Sequence, residues 1–338
     1  MKKEEWLIKR AQELIPVKYY HIVFTLPNEL NLLCMNHPKL MYNILFRSAW
    51  ESLRRLMAMP QWCGAQAGML AVLHTWGQNM SLHPHLHCIV PAGGLDFEAK
   101  KWVKVRKKSV LVDVKDLSKL FRRTFQKMLI SKWEFEGICF RGGAEKYVEI
   151  EEWRELFGCF EKEWVVYAKC PNAGPNQTLN YLSRDTHSVA ISEGRISELT
   201  KEDIHLIYKD YRDEDENGVP KKKPLMLKRK DFMSWFCLHI LPSRFQKIRY
   251  FGIWAMSNRK TKLALCQQLL GHKPLLLTMQ GIKAILKQKL GIDPSVCPHC
   301  GSENIVTFIV SPNGGLTRKL IPDFVNRPPP KPILKKVA

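Results

Sequence analysis

The chain has 338 residues, is 45% hydrophobic, and carries 53 Lys and Arg against 32 Asp and Glu, giving a net charge of +21 and a pI near 9.6. That apolar content suffices for a packed core, while the basic surplus favours a polyanionic partner such as nucleic acid. The longest apolar runs are too short to span a bilayer, the Lys/Glu-rich start lacks a secretory apolar region, and ten cysteines form no disulfide framework, so a cytoplasmic protein with reduced thiols is expected.

In chain order, Glu4 to Leu14 reads as an amphipathic helix leading into a strand over Tyr20 to Thr25. Pro38 to Met59 reads as a long helix. Met69 to Gln78 reads as a strand, Asn79 to Pro84 as a connection, and His85 to Val90 as the return strand of an antiparallel hairpin, with Ala92-Gly93-Gly94 as a strand-end turn. A basic helical segment around Leu117 to Ile130 precedes a β-rich run, Trp164 to Lys169. A turn from Pro171 to Pro175 then leads into a helix starting at Asn176. Beyond it come a strand over Ile204 to Arg212, an acidic turn from Asp213 to Pro220, and a strand over Leu225 to Lys228. Helices are expected over Asp231 to Leu241 and Lys262 to Leu269, and the Pro/Lys-rich end from Asn326 to Ala338 reads as disordered. This order predicts an α+β protein, an antiparallel sheet with packed helices, followed by a mixed, mostly helical extension.

Ser81 to Val90 (SLHPHLHCIV) carries the strongest chemical signal. Alternate strand residues share a face, so His85 and His87 project together, about 7 Å apart along the strand, while Leu86 packs behind them. Two imidazoles can grip one divalent ion if a neighbouring element adds a third ligand. Gln78, if paired opposite His85, is the candidate; a one-residue slip would send it to the other face. An amide oxygen beside two imidazoles suits Mg²⁺ or Mn²⁺ as readily as Zn²⁺.

On the helix after Asn176, Gln177, Tyr181, Arg184 and Asp185 fall at spacings of three and four and share a face. Tyr181, flanked by an arginine and a carboxylate, is a candidate nucleophile, although a phenol needs a polarised electrophile and nearby positive charge to attack at neutral pH. Cys297-Pro298-His299-Cys300-Gly301 has the shape of a zinc knuckle but supplies only Cys297 and Cys300, half of a tetrahedral structural Zn²⁺ site. Basic runs occur at Lys100 to Lys108, Lys119 to Lys132, Lys221 to Lys230 and Arg244 to Arg249. The last is interleaved with Phe245, Tyr250, Phe251 and Trp254, so Arg244, Lys247, Arg249 and Tyr250 are candidate DNA contacts in a channel where bases stack and phosphates are neutralised. No phosphate-cradling Gly-rich loop is present, and no nucleotide cofactor is expected.

Taken in order, YYHIVFTLP, HTWGQ, HPHLHCIVPAGGL, WVVYAK, NYLSRDTHSVAIS and LPSRFQKIRYFGIWA resemble the rolling-circle transposases of insertion-sequence family ninety-one, two-tyrosine members of the HUH endonuclease superfamily. The resemblance runs from about Tyr19 to about Asn258. It implies an HUH fold, a metal bound by the histidine pair His85 and His87, and Tyr181 as the nucleophile that forms a covalent tyrosyl-DNA intermediate with single-stranded DNA from element ends and target. Lys169 or Arg184 could neutralise the developing charge. On this reading residues 1–18 are a linker helix, 19–200 the nuclease core, 201–290 a DNA-binding extension, and 291–338 a knuckle remnant with a basic tail.

Two departures stand out. Asp185 occupies the position of the family's second tyrosine, so strand transfer would reuse Tyr181, recruit a second subunit or employ a 3′-hydroxyl. The resemblance also leads one to expect a Cys/His-rich zinc-binding region ahead of MKKEEWLIKR, so the sequence reads as a short variant, a truncated remnant or a chain whose start is assigned too late. Both departures make an inactive DNA-binding remnant an alternative, and the His-x-His site is shared by two others, a hydrolase using water and a replication initiator or relaxase.

Overall fold

The structure, a computed structural model, describes residues 10–107, 110–136, 158–169, 190–272, 296, 302, 308–310 and 316–318. In chain order its first half comprises β1 (Tyr19–Thr25), α1 (Asn31–Asn36), α2 (Pro38–Ala58), β2 (Gly68–Trp76), β3 (Leu82–Pro91), β4 (Gly93–Asp96), β5 (Lys101–Lys104), α3 (Val114–Glu136) and β6 (Val166–Lys169). There follow β7 (Ile196–Leu199), β8 (Asp203–Glu214), β9 (Pro220–Lys228), α4 (Arg229–Cys237), β10 (Ile248–Gly252), α5 (Ala264–Leu269), β11 (Phe308–Val310) and β12 (Leu316–Arg318). Residues 9–275 form one compact unit, and residues 1–8 with 276–338 form another, in which β11 and β12 make an antiparallel hairpin.

The central sheet has the order β10-β2-β3-β1-β6, and each neighbouring pair is antiparallel. Its two faces follow from alternation along β3. Leu82, Leu86, Cys88 and Val90 point one way and join Ile22 and Phe24 of β1 with Met69, Ala71 and Leu73 of β2. Two helices cover that face because each carries a stripe at helical spacing. On α2, started by Pro38, the stripe includes Met41, Leu45, Ala49, Leu53 and Leu56; on α3 it is Leu117, Phe121, Phe125 and Leu129. Phe121 meets Phe24 edge-on at 5.0 Å between centroids and Trp164 at 5.2 Å, and burying each such ring stabilises by about 1.5–3 kcal/mol. The histidines occupy the opposite face.

A second sheet, β7-β8-β9, takes hold of the β2–β3 hairpin tip. Met80, in the tip with φ 64°, is fully buried against Ile204, Leu206 and Leu227. The His239 Nε2–H donates to the Met80 carbonyl at 2.9 Å, and the Arg195 guanidinium donates to the backbone carbonyls of Gln78, Ala190 and Ile207.

Three local expectations change. The aromatic residues interleaved with the Arg244 to Arg249 run do not all line an open channel: Ile248–Gly252 is a strand of the central sheet, with Phe245 and Phe251 packed on the core and Trp254 buried. Gly93 and Gly94 are not a turn but pair with Lys104 and Val103 as β4 against β5. β2 ends at Trp76, two residues before Gln78. The expected helix at Tyr181 and the Pro/Lys-rich tail lie outside the described residues, as does most of the Glu4 to Leu14 helix.

Candidate metal centre

Hairpin register decides which side chains meet. β2 and β3 are joined by the short turn Gly77 to Ser81, closed by Gly77 N–H donating to the Ser81 carbonyl at 2.9 Å, and a register shift between Trp76 and His74 then sets His74 directly opposite His85. The position expected for Gln78 is therefore held by His74. Gln78 itself is exposed in the turn, with its backbone carbonyl held by Arg195. On β1, His21 is paired with Ile89, one step along the same face from His87, and on β6 Lys169 is paired with His21. Four histidines from three adjacent strands thus face one space, and one ligating nitrogen each of His74, His85 and His87 lie within 4.8 Å of one another.

The hydrogen bonds organise the tautomers. His85 Nδ1–H donates to the His83 carbonyl at 2.7 Å, which leaves the Nε2 lone pair aimed inward, 3.1 Å from Nε2 of His87. His87 Nδ1 lies 3.0 Å from Nε2 of His21, and those two rings are parallel to within 5°. With His21 accepting from His87 Nδ1–H, both Nε2 lone pairs converge. Two lone pairs at that distance repel unless a proton or a cation lies between them. His74 stands against the pair, its ring 4.6 Å from that of His87 and stacked on Trp76 at 4.7 Å.

Burial keeps the rings neutral, so the contact is bridged either by a cation or, in the other neutral tautomer of His87, by its Nε2–H donating to His85 Nε2. Desolvation is the largest cause of the low pKa of each ring: His21 falls to about 4, with Lys169 contributing, and His85 falls to about 3. His87 is lowered further, with His85 and His74 adding repulsion. Neutral imidazoles with converging Nε2 atoms are what a divalent cation requires, so the donor set fits a metal. Three nitrogens in place of two nitrogens and an amide oxygen make Mg²⁺, an oxygen-seeking ion, a poorer match than the sequence suggested.

Around this centre the structure places the other predicted residues unevenly. Lys169 is exposed on the histidine face, and Tyr167, two residues earlier, is 51% exposed on that face. Arg244 is exposed with φ 60°. Lys247 is half-buried, 6.0 Å from the Trp76 ring centroid, and burial lowers its pKa. Arg249 points to the helical side, stacked 4.2 Å over Phe46 and donating to Asn43 Oδ1. Tyr250 is on the histidine side, flanked by Arg10 and Arg259, each 5.3 Å from its ring centroid. Tyr181, Arg184, Cys297 and Cys300 lie outside the described residues.

Sequence reasoning did not single out His74, His21 or Trp76. HTWGQ held His74, but counting back across a five-residue turn pairs His85 with Leu73; only the register shift between His74 and Trp76 brings His74 opposite His85, and nothing in the sequence marks that shift.

A family model described as "Putative transposase" (Y2_Tnp) matches residues 68–262, which span both strands of the histidine hairpin and β10. The chain is 39% identical over 311 residues to "Putative transposase y4qJ" of Sinorhizobium fredii, covering 90% of this chain and 77% of that protein. It is 26% identical over 323 residues to "Transposase for insertion sequence element IS801" of Pseudomonas savastanoi pv. phaseolicola, covering 93% and 72%. No solved structure matches the chain.

Proposed function

Because the chain belongs to the Y2_Tnp family of transposases, we propose that it cuts and rejoins single-stranded DNA at element ends, using Tyr181 as nucleophile beside a divalent ion held by His74, His85 and His87. The observation that carries this reading is the convergence of three neutral imidazoles on the face of an antiparallel sheet, an arrangement consistent with an HUH-type core. A bound ion would act as a Lewis acid, drawing charge from a non-bridging oxygen of the scissile phosphate.

The protein's own groups do the remainder. His85, its Nδ1–H spent on the His83 carbonyl, offers Nε2 without tautomeric ambiguity, and His21, by accepting from His87 Nδ1–H, would hold His87 in the matching tautomer. Lys169 adds positive charge at the edge of the site. Tyr181 Oη attacks phosphorus in line: the Oη–P bond forms, the P–O3′ bond breaks, and the 3′-oxygen leaves as a hydroxyl once protonated. The phenolic proton passes to solvent or a neighbouring base. The phosphotyrosine ester conserves the bond energy, so rejoining needs no nucleotide cofactor. With Asp185 at the second-tyrosine position, the freed 3′-hydroxyl or a reused Tyr181 completes transfer.

The test is incubation of the purified chain with labelled single-stranded element-end DNA and Mn²⁺, followed by denaturing electrophoresis. A denaturant-resistant adduct, absent in Tyr181→Phe and in His74→Ala, is expected. Cutting without an adduct would replace the tyrosine mechanism by hydrolysis, and binding without cutting would identify an inactive remnant.

A further inference from the structure

On the helical side of the sheet, away from the histidines, α2 and α3 enclose a groove of about 1070 Å³ that no step above uses. Six cationic side chains line it: Arg47 and Arg55 from α2, Arg123, Lys127 and Lys132 from α3, and Arg249 from β10. One carboxylate, Glu51, stands among them, and it is already engaged by Arg54 at 2.8 Å and Arg55 at 2.6 Å. Among the described residues Arg47, Arg123 and Lys127 are exposed and have no carboxylate partner. A concave surface with this charge attracts polyanions.

The shape narrows the polyanion. The α2 residues lining the groove run from Leu40 to Arg55, about 22 Å along the helix axis, and those of α3 from Leu120 to Lys132, about 18 Å. At about 3.4 Å per stacked nucleotide this accommodates roughly five or six nucleotides of one strand. A single strand can lay both backbone and bases along such a groove, whereas a duplex presents only its phosphates. The floor includes the half-buried Leu120 and Met128, apolar surface for bases that a duplex would keep stacked inside.

We propose that the α2–α3 groove binds a second segment of single-stranded DNA, outside the cleavage centre, and holds it while the histidine face acts on the scissile segment. The choice of DNA as the polyanion rests on the function proposed above; the location and the single-strand preference rest on the groove.

The experiment measures binding of a fluorescent oligothymidylate to the full chain in EDTA, on a Tyr181→Phe background, across a salt series. The Arg47→Gln/Arg123→Gln/Lys127→Gln variant should bind roughly ten- to a hundredfold more weakly at 0.1 M salt, with a log–log salt slope reduced by about 2, three phosphate contacts at about 0.7 each. A charge-keeping variant, Arg47→Lys/Arg123→Lys/Lys127→Arg, should restore the slope, which separates lost contacts from misfolding. Unchanged affinity and slope in the glutamine variant would overturn the proposal. So would equal loss for duplex and single strand, or displacement of the oligonucleotide from wild type but not from the glutamine variant by poly-glutamate at matched charge. The readout needs neither metal nor cleavage, so a chain that never forms an adduct leaves the groove intact, and a chain that does so while the glutamine variant binds normally removes the groove alone.

Discussion

His74 and Gln78 are four residues apart on the same stretch of chain, yet one sits at the centre of the histidine cluster and the other in an exposed turn. His74→Ala should weaken Mn²⁺ or Zn²⁺ binding by at least a hundredfold in calorimetry, roughly the loss of one of three ligands, whereas Gln78→Ala should leave it within about twofold. Equal losses would restore Gln78 as the ligand. His21 acts through His87 Nδ1, so His21→Ala should cost about ten- to a hundredfold in metal affinity and His21→Gln, which can still accept a hydrogen bond, less. An all-imidazole set should also rank Zn²⁺ above Mn²⁺ and both well above Mg²⁺.

Elements hold these residues by register. The β2–β3 hairpin is gripped at its tip by Met80, whose side chain is fully buried in the cluster of β8 and β9. Met80→Ala should destabilise this docking by about 2–4 kcal/mol, seen as a lower urea midpoint and faster proteolysis near residues 195–230. An unchanged midpoint would mean the tip is not fixed by that contact. Gly252 closes β10 at φ 62°, and a Cβ there would lie 2.0 Å from the Ala67 carbonyl oxygen, a backbone atom that cannot swing away. Gly252→Ala should therefore detach the edge strand and lower the thermal midpoint, while Gly218→Ala, in an open turn, should have a small effect set by its positive φ alone.

At the scale of the molecule, acid should weaken this fold. His21, His85 and His87 stay neutral when folded well below the pH at which they take a proton when unfolded, near 6.5. Between that pH and about 4 the unfolded chain therefore binds more protons than the folded one, and stability falls as pH falls. The metal-free protein should show a urea midpoint that drops between pH 7.5 and pH 5, with a shallower slope in His85→Asn; a flat profile in wild type would show that the cluster is not desolvated. No helix among the described residues is long and apolar enough to cross a membrane.

Much of the core was legible from periodicity. The strand at Tyr20 to Thr25, the helix from Pro38 and the basic helix around Leu117 to Ile130 each carry one apolar stripe, and each is found where that stripe predicts. β10 was not legible, because the charges and aromatic rings of SRFQKIRYFG read equally well as a nucleic-acid surface. Only pairing with β2 shows that Phe251 and Arg249 face the helices while Tyr250 faces the histidines.

By itself the sequence determined that His85 and His87 share a face, since alternation along a strand is local, and that the chain is basic enough to seek a polyanion. The tertiary structure alone decided that His74 completes the cluster, that His21 supports it, and that cations from α2, α3 and β10 line one groove. Those outcomes depend on pairing register and helix packing, which join residues distant in the chain and leave no periodic trace within any one segment.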